Sequence, residues 1–263
     1  MIGNYHTHTL LCGHASGTLS DYCREAVRLG MDVLGFSDHC PWPDGLWREV
    51  RMDMSELDDY FRMIGEAERE FPGLEVRRGL ECEFREDLGS FLPDTFSRPG
   101  RAEYILLAVH AYLDETGRWH DAWNIRDPRE LIAYARHAAR ALESGWFTAF
   151  AHPDIFACGG CPRDDSTAEA AAIILRAAAD CRIPLEINCN GLRKGMIRDA
   201  SGQMRLMYPY RPFWEMAADY DVRVFIGADA HTPGNLGDKR SECLALAAEC
   251  GLQVVETLPM RRS

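Results

Sequence analysis

Seven short apolar runs recur along the chain, most of them followed by a longer segment with helical spacing. The runs are Asn4–Tyr5, Asp32–Ser37 (DVLGFS), Glu75–Glu81 (EVRRGLE), Tyr104–His110 (YILLAVH), Phe147–His152 (FTAFAH), Pro184–Asn190 (PLEINCN) and Val222–Asp229 (VRVFIGAD). Apolar runs of this length, bounded by Gly, Pro or Asp, suit strands covered on both faces. The helical segments are Ser20–Gly30, Ser55–Glu70, Asp127–Gly145, Ser166–Cys181 and Ser241–Cys250. Several open on a Ser or Asp cap, and Pro128 stands at a first helical position. Repeated strand-then-helix order implies a parallel sheet in a single α/β domain. A closed or nearly closed barrel is favoured over an open doubly wound sheet, because no glycine-rich phosphate loop follows the first strand.

The chain of 263 residues, 46% of them hydrophobic, has enough apolar matter for such a core. Its net charge of −12 argues against a nucleic-acid-binding face and against attraction to anionic lipid. The same charge opposes an anionic substrate unless a strong positive centre offsets it locally. No run of about 18 apolar residues and no basic-then-apolar leader is present, so no membrane span is expected and a cytoplasmic location is. Ten scattered cysteines then read as reduced, partly buried thiols. The pair in CGGC (Cys158, Cys161) lacks the second pair that a zinc ribbon needs, and reads as a loop with incidental thiols.

In parallel α/β folds functional groups collect at the C-terminal ends of the strands. Six of the seven runs end in residues able to bind a metal. These are His6 and His8 in NYHTHTLLCGH, His39 in SDH, Glu81 in GLECE, His110 in AVH, His152 in AHPD, and Asp229 and His231 in GADAH. The remaining run ends in NCNG. His6 and His8 are two apart, so on an extended segment both rings face the same side, and His14 lies on the loop that follows. Each element alone has a plainer reading, such as surface polarity, a satisfied core histidine, or a carboxylate balancing Arg77 or Arg78. Together, seven of the nine histidines fall at one end of successive strands, while His120 and His137 do not. Burying so many imidazoles and carboxylates unpaired would cost about 1–3 kcal/mol each, which favours a multinuclear metal site.

As a set these motifs resemble the polymerase and histidinol phosphatase (PHP) family, from the N-terminal end to about Gly237. Within that family LEINCNGLRK (Leu185–Lys194) most resembles the histidinol-phosphate phosphatase branch. The resemblance implies a distorted (β/α)7 TIM-like barrel with three divalent metal ions at its mouth. Carried over motif by motif, His6, His8, Glu81 and Asp229 would hold the first ion. Glu81 would bridge to a second, also held by His110 and His152, and His14, His39 and His231 would hold the third. Zinc is the family's usual metal, with iron or manganese in some members, and nitrogen and oxygen ligands leave all three open. The chain departs from the family pattern at Ala151 and at NCNG, and in IFACGGCPRDD the basic residue expected nearby would be Arg163.

The activity so implied is hydrolysis of a small phosphate monoester, histidinol phosphate of histidine biosynthesis, at a trinuclear site. A hydroxide bridging the Glu81-linked ions would attack phosphorus, since bound metal lowers the pKa of water from roughly 16 towards about 7. Glu81, Asp229 and His231 are the catalytic candidates. Arg193 is the candidate for a forked clamp on the phosphate and Lys194 for a point charge, with a solvated loop arginine as the alternative for Arg193. Asp154 would either orient a ligand imidazole or merely end its strand. The aromatics of Cys40–Met54 and Ala111–Asn124 would line a specificity pocket or simply pack. Two other classes stay open. One is a metal hydrolase for a phosphodiester, nucleotide or phosphotyrosine; the other is a non-catalytic metal-binding module, against which nine intact ligand positions argue.

Overall fold

The computed structural model describes residues 2–260 except 97, 99 and 162. In chain order its strands are Gly3–Asn4 (β1), Val33–Phe36 (β2), Glu75–Cys82 (β3), Tyr104–Leu107 (β4), Ala111–Leu113 (β5), Trp119–Asp121 (β6), Ala149–Phe150 (β7), Leu185–Asn188 (β8), Met196–Arg198 (β9), Met204–Leu206 (β10), Arg223–Gly227 (β11) and Gln253–Val254 (β12). The helices are Leu19–Arg28 (α1), Leu57–Glu70 (α2), Phe91–Phe96 (α3), Pro128–Glu143 (α4), Asp165–Cys181 (α5), Cys189–Lys194 (α6), Arg211–Ala217 (α7) and Arg240–Glu249 (α8). An eight-stranded sheet runs β1-β2-β3-β4-β7-β8-β11-β12, every neighbouring pair parallel. Seven of its strands fall in the seven apolar runs; the two-residue β12 is too short to announce itself in the sequence.

Closure is uneven, and this distorts the barrel. At the base β12 pairs with β11 (Arg223 opposite Gln253), and the Glu256 carboxylate accepts from the Gly3 amide at 3.2 Å. At the mouth the ends of β1 and β11 meet directly. Thr7 bridges Ala230, the His8 amide donates to the Ala230 carbonyl at 2.9 Å, and the Ala230 amide donates to the His6 carbonyl at 3.2 Å. The histidine pair of β1 is thereby fixed against the Asp229 segment of β11.

Helix boundaries follow local capping. Thr18, not Ser20, caps α1, through a reciprocal capping box with Asp21, while Asp127 caps α4 and Pro128 occupies its first turn. The helices pack an extensive apolar layer against the outside of the sheet. A smaller cluster fills the barrel itself, including Tyr5, Val33, Tyr104, Leu106, Phe225 and Leu258. Tyr104 plugs the interior, its hydroxyl lying 2.9 Å from the Tyr5 carbonyl and 3.1 Å from that of Phe36. It fits because two glycines face it: a Cβ on Gly35 or Gly79 would stand 2.2 Å from its phenol atoms. All ten cysteines are free thiols, and among the described residues no helix is long and apolar enough to cross a membrane.

This packing sets an order of stability losses. Gly35→Ala, which forces a methyl into a rigid ring inside the barrel, should cost about 3 kcal/mol. Tyr104→Phe, which removes one buried hydroxyl and keeps the ring, should cost about 1 kcal/mol. Urea unfolding of both variants checks the order; equal losses would mean that the ring does not hold its place.

Candidate metal centre

All nine residues singled out from the sequence reach one mouth of the barrel. His8, His14, His39, Glu81, His110, His152, Asp229 and His231 line a cavity of about 330 Å³, together with Trp123, Asn190, Lys194 and Tyr208. His6 lies fully buried directly behind it, its Nε2 3.2 Å from the His8 Nε2. Glu81 arrives at the end of β3, His110 just past β4, and His152 just past β7. His152 and Asp229 both take a left-handed backbone conformation, with φ of 32° and 46°. Non-glycine residues rarely adopt it, and the cost is about 1–3 kcal/mol each unless the surroundings enforce it. In both cases the turn sits where a strand must give way to a ligand-type side chain.

The ring nitrogens that face away from the mouth decide the chemistry of those that face into it. His6 Nδ1 lies 2.7 Å from Glu186 Oε1, His8 Nδ1 3.3 Å from Asp38 Oδ1, and His110 Nδ1 3.0 Å from Glu83 Oε1. His14 Nδ1 meets the Cys12 carbonyl at 2.8 Å, and His231 Nδ1 meets the Asp229 carbonyl at 3.1 Å. Each of these partners is an acceptor, so each ring carries its proton on Nδ1 and turns a bare Nε2 lone pair to the mouth. The consequence is that lone pairs confront one another. His6 and His8 oppose their Nε2 atoms at 3.2 Å, and His14 and His231 do so at 3.0 Å. Wherever both rings are neutral those lone pairs repel, and a second ring proton or a cation between them removes the conflict.

The spacing matches such a cation. Ligand bonds of about 2.0–2.2 Å place two donors of a tetrahedral ion about 3.4 Å apart. The His6 and His8 Nε2 atoms lie 3.4 and 3.5 Å from Glu81 Oε2, and 3.8 and 3.3 Å from Asp229 Oδ1. The other Glu81 oxygen faces His152 Nε2 at 2.9 Å and His110 Nε2 at 3.5 Å. His39 Nδ1 lies 3.0 Å from Glu81 Oε2. Among the buried atoms without a hydrogen-bond partner are His39 Nδ1, Glu81 Oε2 and His152 Nδ1. This donor set of imidazoles and carboxylates fits divalent metal.

Electrostatics run the same way. Burial would raise the Glu81 and Asp229 carboxyls, but the surrounding imidazoles, His6 first, hold both well below their usual range. Burial lowers His39 to about 4 and His231 to about 3, with the charge of His8 adding to the effect. Both are therefore neutral near pH 7, the form that binds metal.

Three supporting carboxylates were not read from the sequence. Glu186, fully buried within β8, holds His6 Nδ1 and also accepts from the His152 amide at 2.9 Å and Asn188 Nδ2 at 2.8 Å. Glu83 Oε2 accepts from Arg51 Nη1 at 3.1 Å and Trp42 Nε1 at 3.2 Å, while its Oε1 accepts from Arg51 Nη2 at 3.0 Å and also orients His110. Asp38 accepts from the Thr9 amide and hydroxyl and from the His39 amide. Asn188 and Asn190 donate to Asp229 Oδ2 at 3.2 and 3.1 Å, so Oδ1 alone faces the histidines.

Other expected roles are redistributed. Arg193 does not reach the mouth: its Nη2 donates to the Ala228 carbonyl at 2.6 Å and the Asp229 carbonyl at 3.3 Å, so α6 directs it behind Asp229. Its donors are spent on pinning the end of β11, and the cation on the cavity wall is Lys194. Asp154 orients no ligand imidazole, because its Oδ2 accepts from the Tyr210 amide at 2.6 Å and Trp214 Nε1 at 2.9 Å. Arg163 is 70% exposed and faces Glu215 at 3.7 Å. The loop aromatics do line a pocket: Trp47, Trp119 and Trp123 wall a second cavity of about 490 Å³, which shares His14, His39, His110 and Trp123 with the first.

Residues 4–190 match the PHP domain. The chain belongs to the PHP domain family. A Deinococcus radiodurans protein described as a probable histidinol-phosphatase is 29% identical over 266 residues, covering 95% of this chain and 94% of its own. The Bacillus subtilis histidinol-phosphatase is 32% identical over 102 residues, 35% of this chain and 38% of its own. Among solved structures, the histidinol phosphate phosphatase of Lactococcus lactis, determined with zinc, L-histidinol and phosphate, superposes with a TM-score of 0.70 at 17% identity, covering 99% of both chains. That likeness places this PHP chain's fold with the PHP phosphatases.

Two variants separate support from contact. Glu186→Gln, which weakens the grip on His6 and His152 without touching the mouth, should lower metal affinity about 10–100-fold while the chain stays folded. Arg193→Ala should lower metal content as well, by releasing the backbone of Asp229. Elemental analysis after dialysis checks both. Full metal in the Arg193 variant with impaired turnover would return that residue to a phosphate clamp.

Proposed function

We propose that this PHP-domain protein is a metal-dependent phosphatase that frees inorganic phosphate from a small monoester, histidinol phosphate first among them. The observation that carries the reading is the set of imidazole nitrogens around the two Glu81 oxygens, with a second facing pair in His14 and His231, at the spacing of ligands that share metal ions. Likeness along almost the full length to a probable histidinol-phosphatase supports the monoester class.

In this reading three divalent ions are held by the sets named by motif: His6, His8, Glu81 and Asp229; Glu81, His110 and His152; and His14, His39 and His231. Zinc leads, with iron or manganese as the other candidates. Such ions would supply positive charge for the phosphoryl oxygens and would lower the pKa of a water from roughly 16 towards about 7. The chain's own residues do the rest. Glu81 presents one oxygen to each of two ligand groups. Asn188 and Asn190 fix Asp229 so that a single oxygen faces inward. Lys194 on the wall adds a point charge for a phosphate oxygen. The tryptophan-walled cavity next to the mouth receives the alcohol half. Its flat indole faces suit an imidazole ring, and Asp121 on its wall suits an ammonium group.

The test joins metal analysis to a phosphate-release screen that includes histidinol phosphate, other monoesters, a nucleotide, a phosphotyrosine ester and a diester. Turnover of histidinol phosphate is expected, and His110→Ala and Asp229→Ala should each lose bound metal and at least about a hundredfold of activity. Turnover of a diester alone would move the substrate class. Silence of the metal-replete protein on every ester would leave a metal-binding module.

A further inference from the structure

Cys12 stands apart from the other nine cysteines. Eight of those are buried in the apolar layer between sheet and helices, and Cys181 packs against its edge. Cys12 is fully buried yet belongs to neither apolar cluster. Its surroundings are polar: its sulfur lies within 4.8 Å of ligand nitrogens of both His14 and His231, and also of ligand atoms of His8 and Asp38. The backbone holds it there. Thr9 caps the short turn Leu10–Cys12, and Gly13, at φ 78°, reverses the chain so that His14 swings back over the mouth. The Cys12 carbonyl takes the His14 Nδ1 proton, which turns the bare Nε2 of His14 to that of His231. His39 borders the same corner, its ring centroid 4.5 Å from that of His8 and 5.6 Å from that of His14, while its Nδ1 faces Glu81 Oε2 at 3.0 Å.

From this we infer that Cys12 is a metal ligand, its thiolate joining His14 and His231 on the outermost ion. The inference rests on the reading of the mouth as a metal centre and changes its chemistry. A set of nitrogen and oxygen donors leaves zinc, iron and manganese open, whereas one thiolate biases that position towards zinc. Zn–S and Zn–N bonds of about 2.3 and 2.0–2.1 Å put the two donors roughly 3.6 Å apart on a tetrahedral ion, a spacing within reach of the observed group. The thiol gives up its proton on binding, and no redox step is involved.

Cobalt(II) reports the difference directly, since a thiolate ligand gives a near-ultraviolet charge-transfer band that imidazole and carboxylate do not. The full-length chain is stripped with a chelator, loaded with cobalt and scanned, alongside Cys12→Ser. The band is expected in the wild type and lost in the variant, while visible d–d absorption persists in both and shows that the serine form folds and keeps its imidazole ligands. Visible cobalt bands without a thiolate band in the wild type would overturn the role of Cys12 and leave the metal centre standing. So would a band that survives Cys12→Ser. A wild-type chain that takes up no cobalt or zinc at all would bring down both readings.

Discussion

The Glu81 carboxylate is the group around which this protein is organised. It is 1% exposed, and five imidazoles (His6, His8, His39, His110 and His152) approach its two oxygens to 2.9–3.5 Å. A buried carboxylate without positive charge beside it costs many kcal/mol, so something cationic has to share the mouth. Protons on the rings supply it only in part. The carboxylates raise His6 and His8, but burial keeps His39 and His231 low, and the Nδ1 partners already hold one proton on each of five rings. Divalent ions between the ring nitrogens would satisfy these groups together. The strand ends, the uneven closure of the barrel and the left-handed turns at His152 and Asp229 all serve to hold donors facing that demand.

Much of this arrangement could be read before any coordinates, because periodicity and strand ends are written locally. Seven apolar runs gave up seven strands of the barrel, and the residues at their C-terminal ends are the ones gathered at the mouth. What escaped was non-local or ambiguous. Glu186 sits inside PLEINCN, where a single charge in a run buried on both faces is itself a sign of a partner, but the sequence does not say which one. Glu83 is two residues beyond Glu81, close enough in sequence to suspect, but its separate duty to His110 depends on Arg51 arriving from the loop after β2. The two residues of β12 carry no pattern of their own and are set by the gap left at the base of the barrel. The direction of Arg193 is not legible in sequence because a six-residue helix decides which way it turns, and α6 turns it to backbone carbonyls.

Support is as elaborate as contact in this site, and for a physical reason. A site of the proposed kind needs each donor to hold its direction before a metal arrives. Gly227 shows how tightly the buried layer behind the mouth is fitted: a Cβ there would lie 1.6 Å from Glu186 Oε1, so the carboxylate that fixes His6 occupies space a side chain would take. The same logic explains the paired amides on Asp229 and the Arg51 fork on Glu83. Removing one side's freedom makes the other side's lone pair point inward.

The chain carries a net charge of −12, and its proposed substrate is an anion. Surface charges do not decide that encounter at physiological salt, where screening extends over about 8 Å and the mouth is set into the barrel. What the phosphate meets is local. Two carboxylates, Glu81 and Asp229, face the centre, and three dications would outweigh them, with Lys194 adding to the excess at the wall. Without metal the mouth presents carboxylates and lone pairs and repels the same ester. Under the proposed function, substrate affinity would be conditional on metal occupancy, and the acidic exterior and an anionic ligand would be compatible through ions held by Glu81 and Asp229.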